Sequence, residues 1–249
     1  MPLVISPHLD DAVLSCGHWL ATHPGSLVLT LFAGAPRDPS RRLGWDEQCG
    51  FASAGEAIAA RRREDAQALA LLEARPRWLD FTDSQYGESA SPDTLAAALR
   101  EAIAEARPDT VLYPMGLFHS DHRLAHDAAV AALRGLKKDD AGTGIAVTAL
   151  AYEDVPYRGI PGVLQQRLAE LAAAGWQATP AAAPGRQGAD GADAAGLAAR
   201  KARAVQEYPS QLRAFGPGGL PDAALPERLW RLDPAPSGEE GEGKGEGTR

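Results

Sequence analysis

The stretch LVISPHLDD, at residues 3–11, decides how this 249-residue chain is interpreted. Three apolar residues run into a Ser-Pro pair, a pattern that predicts a short buried strand ended by proline. An imidazole and two carboxylates, those of His8, Asp10 and Asp11, follow at once. In open α/β sheets, ligands bind at the carboxyl ends of the strands. The sequence therefore predicts a functional site at the end of the first strand.

A second cluster of the same kind, FHSDHRLAH, lies at residues 118–126. It follows another apolar run, at 110–113, and opens a stretch with helical periodicity. The cluster contains half of the six histidines in the chain. Since it too follows a strand, both clusters are expected at the ligand-binding edge of the sheet.

Strand and helix patterns alternate along the chain, which predicts an α/β, Rossmann-like single domain. Its sheet should be mostly parallel, with helices on both faces. The predicted strands are 3–5, 26–32, 78–81, 110–113 and 145–153, and the predicted helices are 12–21, 54–73, 92–106, 122–133 and 196–206. Residues 34–54 are predicted to form a long loop that contributes to specificity, unless it is an ordinary surface loop. Residues 178–194 should be loose. We assign residues 1–232 to the domain and 233–249 to a disordered, Gly/Glu-rich tail.

The charge balance excludes some classes of partner. Lys and Arg number 25 and Asp and Glu 33, giving a formal net charge of −8. An acidic chain without a basic stripe does not suit nucleic acid or an anionic membrane surface. The run 61–63 is arginine, but two acids follow it, so it is interpreted as a solvated helix face. No signal peptide or spanning segment is apparent, which predicts a cytoplasmic protein without stable membrane insertion.

The histidines and carboxylates predict a metal site. His8 and Asp11 are three residues apart in a turn, and His122 near a helix start can supply a third ligand. Two imidazoles and a carboxylate with open coordination positions are what catalytic zinc requires, although Fe²⁺ or another divalent ion also suits them. Helix capping by Asp11 is the plain alternative, and His122 with His126 offers a rival ligand pair. We interpret His126 as packed or supporting.

Three further residues have predicted roles in catalysis. Asp10, beside the ligands but free of them, can accept the proton of a water that attacks a carbonyl. His119 can stabilise the negative oxygen of the tetrahedral intermediate or protonate the leaving amine. Asp121 can hold an imidazole in one tautomer.

Both clusters resemble signatures of the PIG-L/LmbE-like N-deacetylase family. Residues 7–12, PHLDDA, are similar to its PHPDDE motif, and residues 119–122, HSDH, to its HPDH motif. Weaker similarities continue at Arg61 with Glu64, at Asp83 near the substrate position, and at Lys201 with residues 208–211.

The resemblance implies a division of roles. Zinc would be bound by His8, Asp11 and His122. Asp10 would be the general base, and His119 would steady the oxyanion or act as acid.

The departures from the motifs limit what is implied about the substrate. Leu9 and Ser120 replace prolines that stiffen a turn, whereas Ala12 replaces an acid and indicates a divergent subgroup. We expect hydrolysis of an N-acyl, typically N-acetyl, amide on a small amino-sugar or secondary-metabolite substrate. The alternatives are an amidase of thiol conjugates and a catalytically silent metal- or nucleotide-binding module. Nucleotide binding lacks support because no glycine-rich turn follows the first strand. The intact Asp10 and His119 argue against a silent metal-binding module. A homo-oligomer is left open.

Overall fold

One mixed sheet organises the molecule, for which a computed structural model describes residues 1–139, 147–182 and 191–236. Within these residues seven strands lie in the order β3-β2-β1-β4-β5-β7-β6. The strands are β1 (Leu3–Ser6), β2 (Leu27–Thr30), β3 (Arg75–Trp78), β4 (Thr110–Pro114), β5 (Thr148–Tyr152), β6 (Trp176–Ala181) and β7 (Leu229–Pro234). The first five are parallel, and β7 pairs antiparallel with both β5 and β6.

Helices connect these strands and cover the sheet. They are α1 (Asp11–Thr22), α2 (Gly44–Cys49), α3 (Ala54–Leu71), α4 (Pro92–Ala106), α5 (Ser120–Asp139), α6 (Val155–Arg158), α7 (Val163–Ala173), α8 (Gly191–Gln206) and α9 (Pro209–Ala214). Helix α4 begins as its sequence predicts, with the Ser91 hydroxyl accepting from the Thr94 N–H and proline in the first turn. No helix in the described part of the chain is long and apolar enough to cross a membrane.

Both faces of the sheet are buried. Val4 packs in one cluster with Leu14 of α1 and Ala204 of α8, whereas Leu3 packs in the other with Leu99 of α4. Successive strand residues point to opposite faces, so this alternation places helices on both sides of β1. The predicted α/β architecture, with a mostly parallel sheet covered on both faces, is therefore confirmed.

The strand order places the two polar clusters together. From β1 the chain builds outward through β2 and β3, then returns to place β4 on the other side of β1. This reversal is a topological switch point, and a crevice opens outside the strand ends at such a point. Residues 8–11 follow β1 and residues 118–122 follow β4, so both clusters lie where such a crevice is expected.

Several predicted elements need correction. The predicted loop 34–54 contains α2, where Trp45 of the helix donates to Gln211 of α9. The segment 178–194 is not loose throughout, because its first residues complete β6 by pairing with β7. The strand predicted at 78–81 lies earlier in the chain, at Arg75–Trp78, because these residues pair with β2. The antiparallel edge of β6 and β7 was missed.

The run of arginines at 61–63 is solvated only in part, since Arg61 is 3% exposed whereas Arg63 is exposed. At the C-terminal end, β7 extends to Pro234. Most of the predicted tail, residues 237–249, lies outside the described residues, as do residues 140–146 and 183–190. The domain boundary stays a prediction.

Candidate active site at the β1 and β4 strand ends

A hydroxyl inside the first turn fixes the shape of the β1 cluster. The Ser6 Oγ donates to the His8 carbonyl at 2.7 Å and accepts from the Ala12 N–H at 3.0 Å. The His8 N–H donates to Asp11 Oδ2 at 2.9 Å. Asp10 takes a positive φ of 152°, which is unusual for a residue with a side chain. The backbone thus bends sharply and directs several polar side chains into one buried place.

His8, Asp11 and His122 converge as the sequence predicts. Asp11 Oδ2 lies 3.2 Å from His8 Nδ1 and 3.2 Å from His122 Nε2. The three residues are buried, and one ligand atom from each lies within 4.8 Å of the others. Ligands on a tetrahedral zinc ion, at about 2.0–2.1 Å from it, are about 3.3 Å apart. The donor set therefore fits a divalent metal in both spacing and chemistry.

Each imidazole of this set has its second nitrogen paired with a carboxylate. His122 Nδ1 lies 2.6 Å from Asp154 Oδ1, and His8 Nε2 lies 3.1 Å from Asp121 Oδ2. Metal-binding histidines have such partners almost always, because the partner fixes the tautomer and ring orientation. Asp121 is thus placed where the sequence analysis put it, beside an imidazole. Asp154 is an additional partner that the sequence analysis did not identify.

The charges in this cluster stabilise one another. Burial opposes ionisation of Asp11, but the adjacent His122 and His8 outweigh it and hold the pKa of the Asp11 carboxyl far below its ordinary value. Burial also opposes protonation of His122, yet Asp11 and Asp154 raise its pKa to about 9. A metal cation between His8, Asp11 and His122 would balance the negative charge of Asp11, as the imidazole protons do without it.

A second grouping uses the other side of His8. His8, His119 and Asp121 also each offer a ligand atom within 4.8 Å of the others. Asp121 Oδ2 is already engaged there, because it accepts the Ser84 N–H at 3.0 Å as well as facing His8. The first grouping leaves both imidazoles oriented by carboxylates, so we favour it.

Asp10 is buried next to the donor set, and the buried guanidinium of Arg61 acts on its charge. Burial and the neighbouring Asp11 raise the pKa of Asp10 to about 7, with Arg61 and the imidazoles opposing the shift. Burial lowers the pKa of Arg61, but Asp10 and Asp83 outweigh it and raise that pKa above its ordinary value. Asp10 therefore has the surroundings expected of a base that exchanges a proton.

His119 lies beside the donor set but is only half-buried. Its ring is 5.5 Å from the His8 ring and 5.7 Å from the His122 ring. Burial and these two imidazoles lower its pKa. It is thus close to the donor set, and part of its surface reaches solvent.

Two other predicted residues have different surroundings. His126 is buried away from this cluster, where its Nδ1 lies 2.9 Å from the Pro114 carbonyl and burial lowers its pKa to about 3. Asp83 lies close to the donor set, with Oδ2 3.5 Å from His8 Nε2. The structure thus places Asp83 beside the cluster and His126 behind it.

Sequence reasoning missed Asp154 and the buried role of Arg61. Asp154 follows β5 as part of an acidic pair, Glu153-Asp154, so it obeys the same rule of polar residues after a strand. Applying that rule to every strand would have found it. Arg61 lies among charged neighbours on α3, and the sequence of this helix does not indicate which face is buried.

Comparison with known proteins shows which family the chain belongs to. Residues 3–133, more than half of the chain, match the family model described as PIG-L, GlcNAc-PI de-N-acetylase. A curated relative, the 2'-N-acetylparomamine deacetylase of Streptomyces fradiae, is 33% identical over 178 residues. That match covers 63% of this chain and 57% of the relative. The chain therefore spans less than two thirds of that relative's length.

Solved structures match over nearly the whole chain. A deacetylase in the teicoplanin biosynthesis pathway is 26% identical with a TM-score of 0.70, and the match covers 95% of this chain and 99% of the other. The A40926 pseudoaglycone deacetylase is 25% identical with a TM-score of 0.69, covering 95% and 98%. The similarity thus includes the C-terminal part that the family model does not reach.

Proposed function

Because the chain belongs to the PIG-L family of de-N-acetylases, we propose that it hydrolyses the N-acetyl amide of an amino sugar carried by a secondary metabolite. The observation that carries this proposal is the convergence of His8, Asp11 and His122 beside the free carboxylate of Asp10. The named relatives support the substrate class, since one acts on 2'-N-acetylparomamine and another belongs to teicoplanin biosynthesis.

We propose zinc, or another divalent metal, as the cofactor. His8 Nδ1, Asp11 Oδ2 and His122 Nε2 would hold it. A metal of this kind polarises a carbonyl oxygen and lowers the pKa of a water to about 7. Asp154 and Asp121 would keep the two imidazoles oriented toward it.

The remaining residues would move protons and stabilise charge. The Asp10 carboxylate would accept the proton of the water that attacks the acetyl carbon. His119 would face the oxygen that becomes negative, or would give a proton to the nitrogen that leaves. Arg61, whose buried charge opposes the rise in the pKa of Asp10, would stabilise that carboxylate electrostatically while its charge changes. The products would be acetate and a free amine.

The test combines metal content with product release. The purified protein should contain about one divalent ion and should release amine and acetate in equal amounts from N-acetylated amino sugars. Turnover should stop when a chelator removes the metal and return when zinc or Fe²⁺ is added. A His122→Gln variant should lose the metal. His23→Gln, which changes an imidazole at the opposite end of α1, should retain it.

Turnover that continued after complete removal of the metal would overturn the proposal. So would equal metal content in the His122→Gln and His23→Gln variants.

A further inference from the structure

Phe118 is an exposed aromatic residue beside the site. It is 60% exposed, whereas the other exposed large apolar residues of the described chain are 36–46% exposed. It directly precedes His119, and its φ is +59°. Neither property helps the chain to fold.

The backbone at Phe118 is strained. The His119 N–H donates to the Leu117 carbonyl at 2.7 Å, which closes a three-residue turn around Phe118. A positive φ at the centre of such a turn is the rare and strained form. Glu73 and Arg107 also have positive φ, but they follow helices, where a left-handed residue is common. The exposed Phe118 ring gains little burial free energy to offset this strain. Backbone strain of this kind points to a function.

Buried polar contacts hold the strained turn in place. Asp154 Oδ2 accepts the Leu117 N–H at 2.9 Å, and Arg167 Nε donates to the Met115 carbonyl at 2.9 Å. Arg167 is itself buried. The loop before His119 is thus fixed from behind, and the Phe118 ring is presented in a defined position.

The ring continues an aromatic surface that begins at the predicted catalytic imidazole. The Tyr157 ring lies parallel to the His119 ring, with centroids 6.0 Å apart, and 5.0 Å from the His122 ring. The Phe118 ring lies 5.6 Å from the Tyr157 ring. We name Phe118 and Tyr157 together the aromatic lip. It extends from the histidines to solvent.

We propose that the aromatic lip is the subsite for an apolar group on the amine-bearing part of the substrate, such as an aryl or alkyl group joined to the amino sugar. The inference rests on the proposed function, in which the acyl group is acetyl. An acetyl group has two carbons and would be consumed at the histidines, so the part of the substrate that reaches the lip is the scaffold. Aromatic faces gain affinity by stacking on flat apolar groups.

The test compares substrates that differ only in this apolar group. The wild-type enzyme should hydrolyse benzyl N-acetylglucosaminide with a kcat/KM about tenfold above that of N-acetylglucosamine. In Phe118→Gly this preference should fall to about one. Glycine accepts the positive φ without strain, so this variant keeps the turn and removes only the ring. Leu225→Ala removes another exposed apolar side chain, 46% exposed, and should keep the preference.

Two results would overturn the inference. One is an unchanged preference in Phe118→Gly. The other is a preference that follows a longer acyl chain, measured with N-octanoylglucosamine, which would place the acyl group on the lip.

A separate readout distinguishes failure of the proposed function. If the wild type hydrolyses neither benzyl N-acetylglucosaminide nor N-acetylglucosamine, the proposed substrate class fails. The lip is then tested by calorimetric titration with the corresponding free amines. Benzyl glucosaminide should bind about tenfold more tightly than glucosamine to the wild type, and equally to Phe118→Gly. Equal affinities in the wild type, or no binding of the benzyl compound, would overturn the lip.

Discussion

The two strand ends that form the site differ in how much of their chemistry reaches solvent. After β1, His8, Asp10 and Asp11 are all buried. After β4, His122 is buried, but Phe118 and His119 face outward to different degrees. Buried charges need partners, and His8 and Asp11 have theirs at about hydrogen-bond distance. On the proposed function, the β1 end would hold metal and base, whereas the β4 end would complete the metal site and meet the substrate.

The two strand ends share one backbone feature, a residue with positive φ before the helix that follows. Each reaches its helix through a residue with positive φ, Asp10 before α1 and Phe118 before α5. At the β1 end the sharp bend places a carboxylate inside the site. At the β4 end it places an aromatic ring outside. On the proposed function, a positive φ would serve proton transfer at Asp10, where it is 152°, and contact with the substrate at Phe118, where it is 59°.

The largest expected effect comes from Asp10, on the buried side of the comparison. Asp10→Asn keeps the shape of the side chain but removes the base, so kcat should fall by about 10³-fold or more. Metal content should stay at the wild-type level, because Asp10 is not among the proposed ligands. Steady-state kinetics with metal analysis checks both. Near-normal turnover would remove Asp10 from the mechanism.

His119, on the exposed side, should have a smaller effect. His119→Gln should lower kcat by about 10²-fold, since one donor to the developing negative charge is lost. The metal should again be retained. Loss of metal in this variant would favour the second grouping, with His8 and Asp121 as the companions of His119.

The carboxylates behind the imidazoles should affect metal affinity more than chemistry. Asp154→Asn and Asp121→Asn should each weaken metal binding by about 10–100-fold. Asp154 should have the larger effect, since it is fully buried and only 2.6 Å from His122. Competition with a chromophoric chelator measures both affinities. Equal affinities in the wild type and Asp154→Asn would contradict the orienting role.

The smallest effect on the site should come from His126, which lies behind the β4 end. His126→Leu leaves the buried Pro114 carbonyl without its partner, which should cost about 1–3 kcal/mol of unfolding free energy. Metal content should not change. Chemical denaturation and metal analysis give the two values. Loss of the metal in His126→Leu would instead favour His122 and His126 as the ligand pair.

Local sequence patterns were sufficient to predict most of the parallel part of the sheet, although β3 was misplaced by three residues. The buried runs at β1 and β4, and proline with a capping serine at α4, specify their elements by themselves. The antiparallel pair β6 and β7 was missed because its residues are only half apolar and acquire strand geometry by pairing with each other. Helix α2 depends on contacts with α9, more than 150 residues away.

The site residues were predictable where they follow strands in short motifs. Residues 8–11 and 119–122 lie in such motifs, and the fold brings them together as expected. The buried position of Arg61 could not be predicted, because a charged residue enters a core only when tertiary partners such as Asp10 and Asp83 are supplied. The exposure of Phe118 was equally hidden, since aromatic residues are buried more often than not.

The donor set is the central claim, and locating a bound metal tests it most directly. Crystals grown with zinc should show one anomalous peak bounded by His8 Nδ1, Asp11 Oδ2 and His122 Nε2, about 2.0–2.2 Å from each. Asp10 should lie outside that shell. A peak on the other side of His8, bounded by Nε2, His119 and Asp121, would contradict the assignment and reverse the roles of the two strand ends.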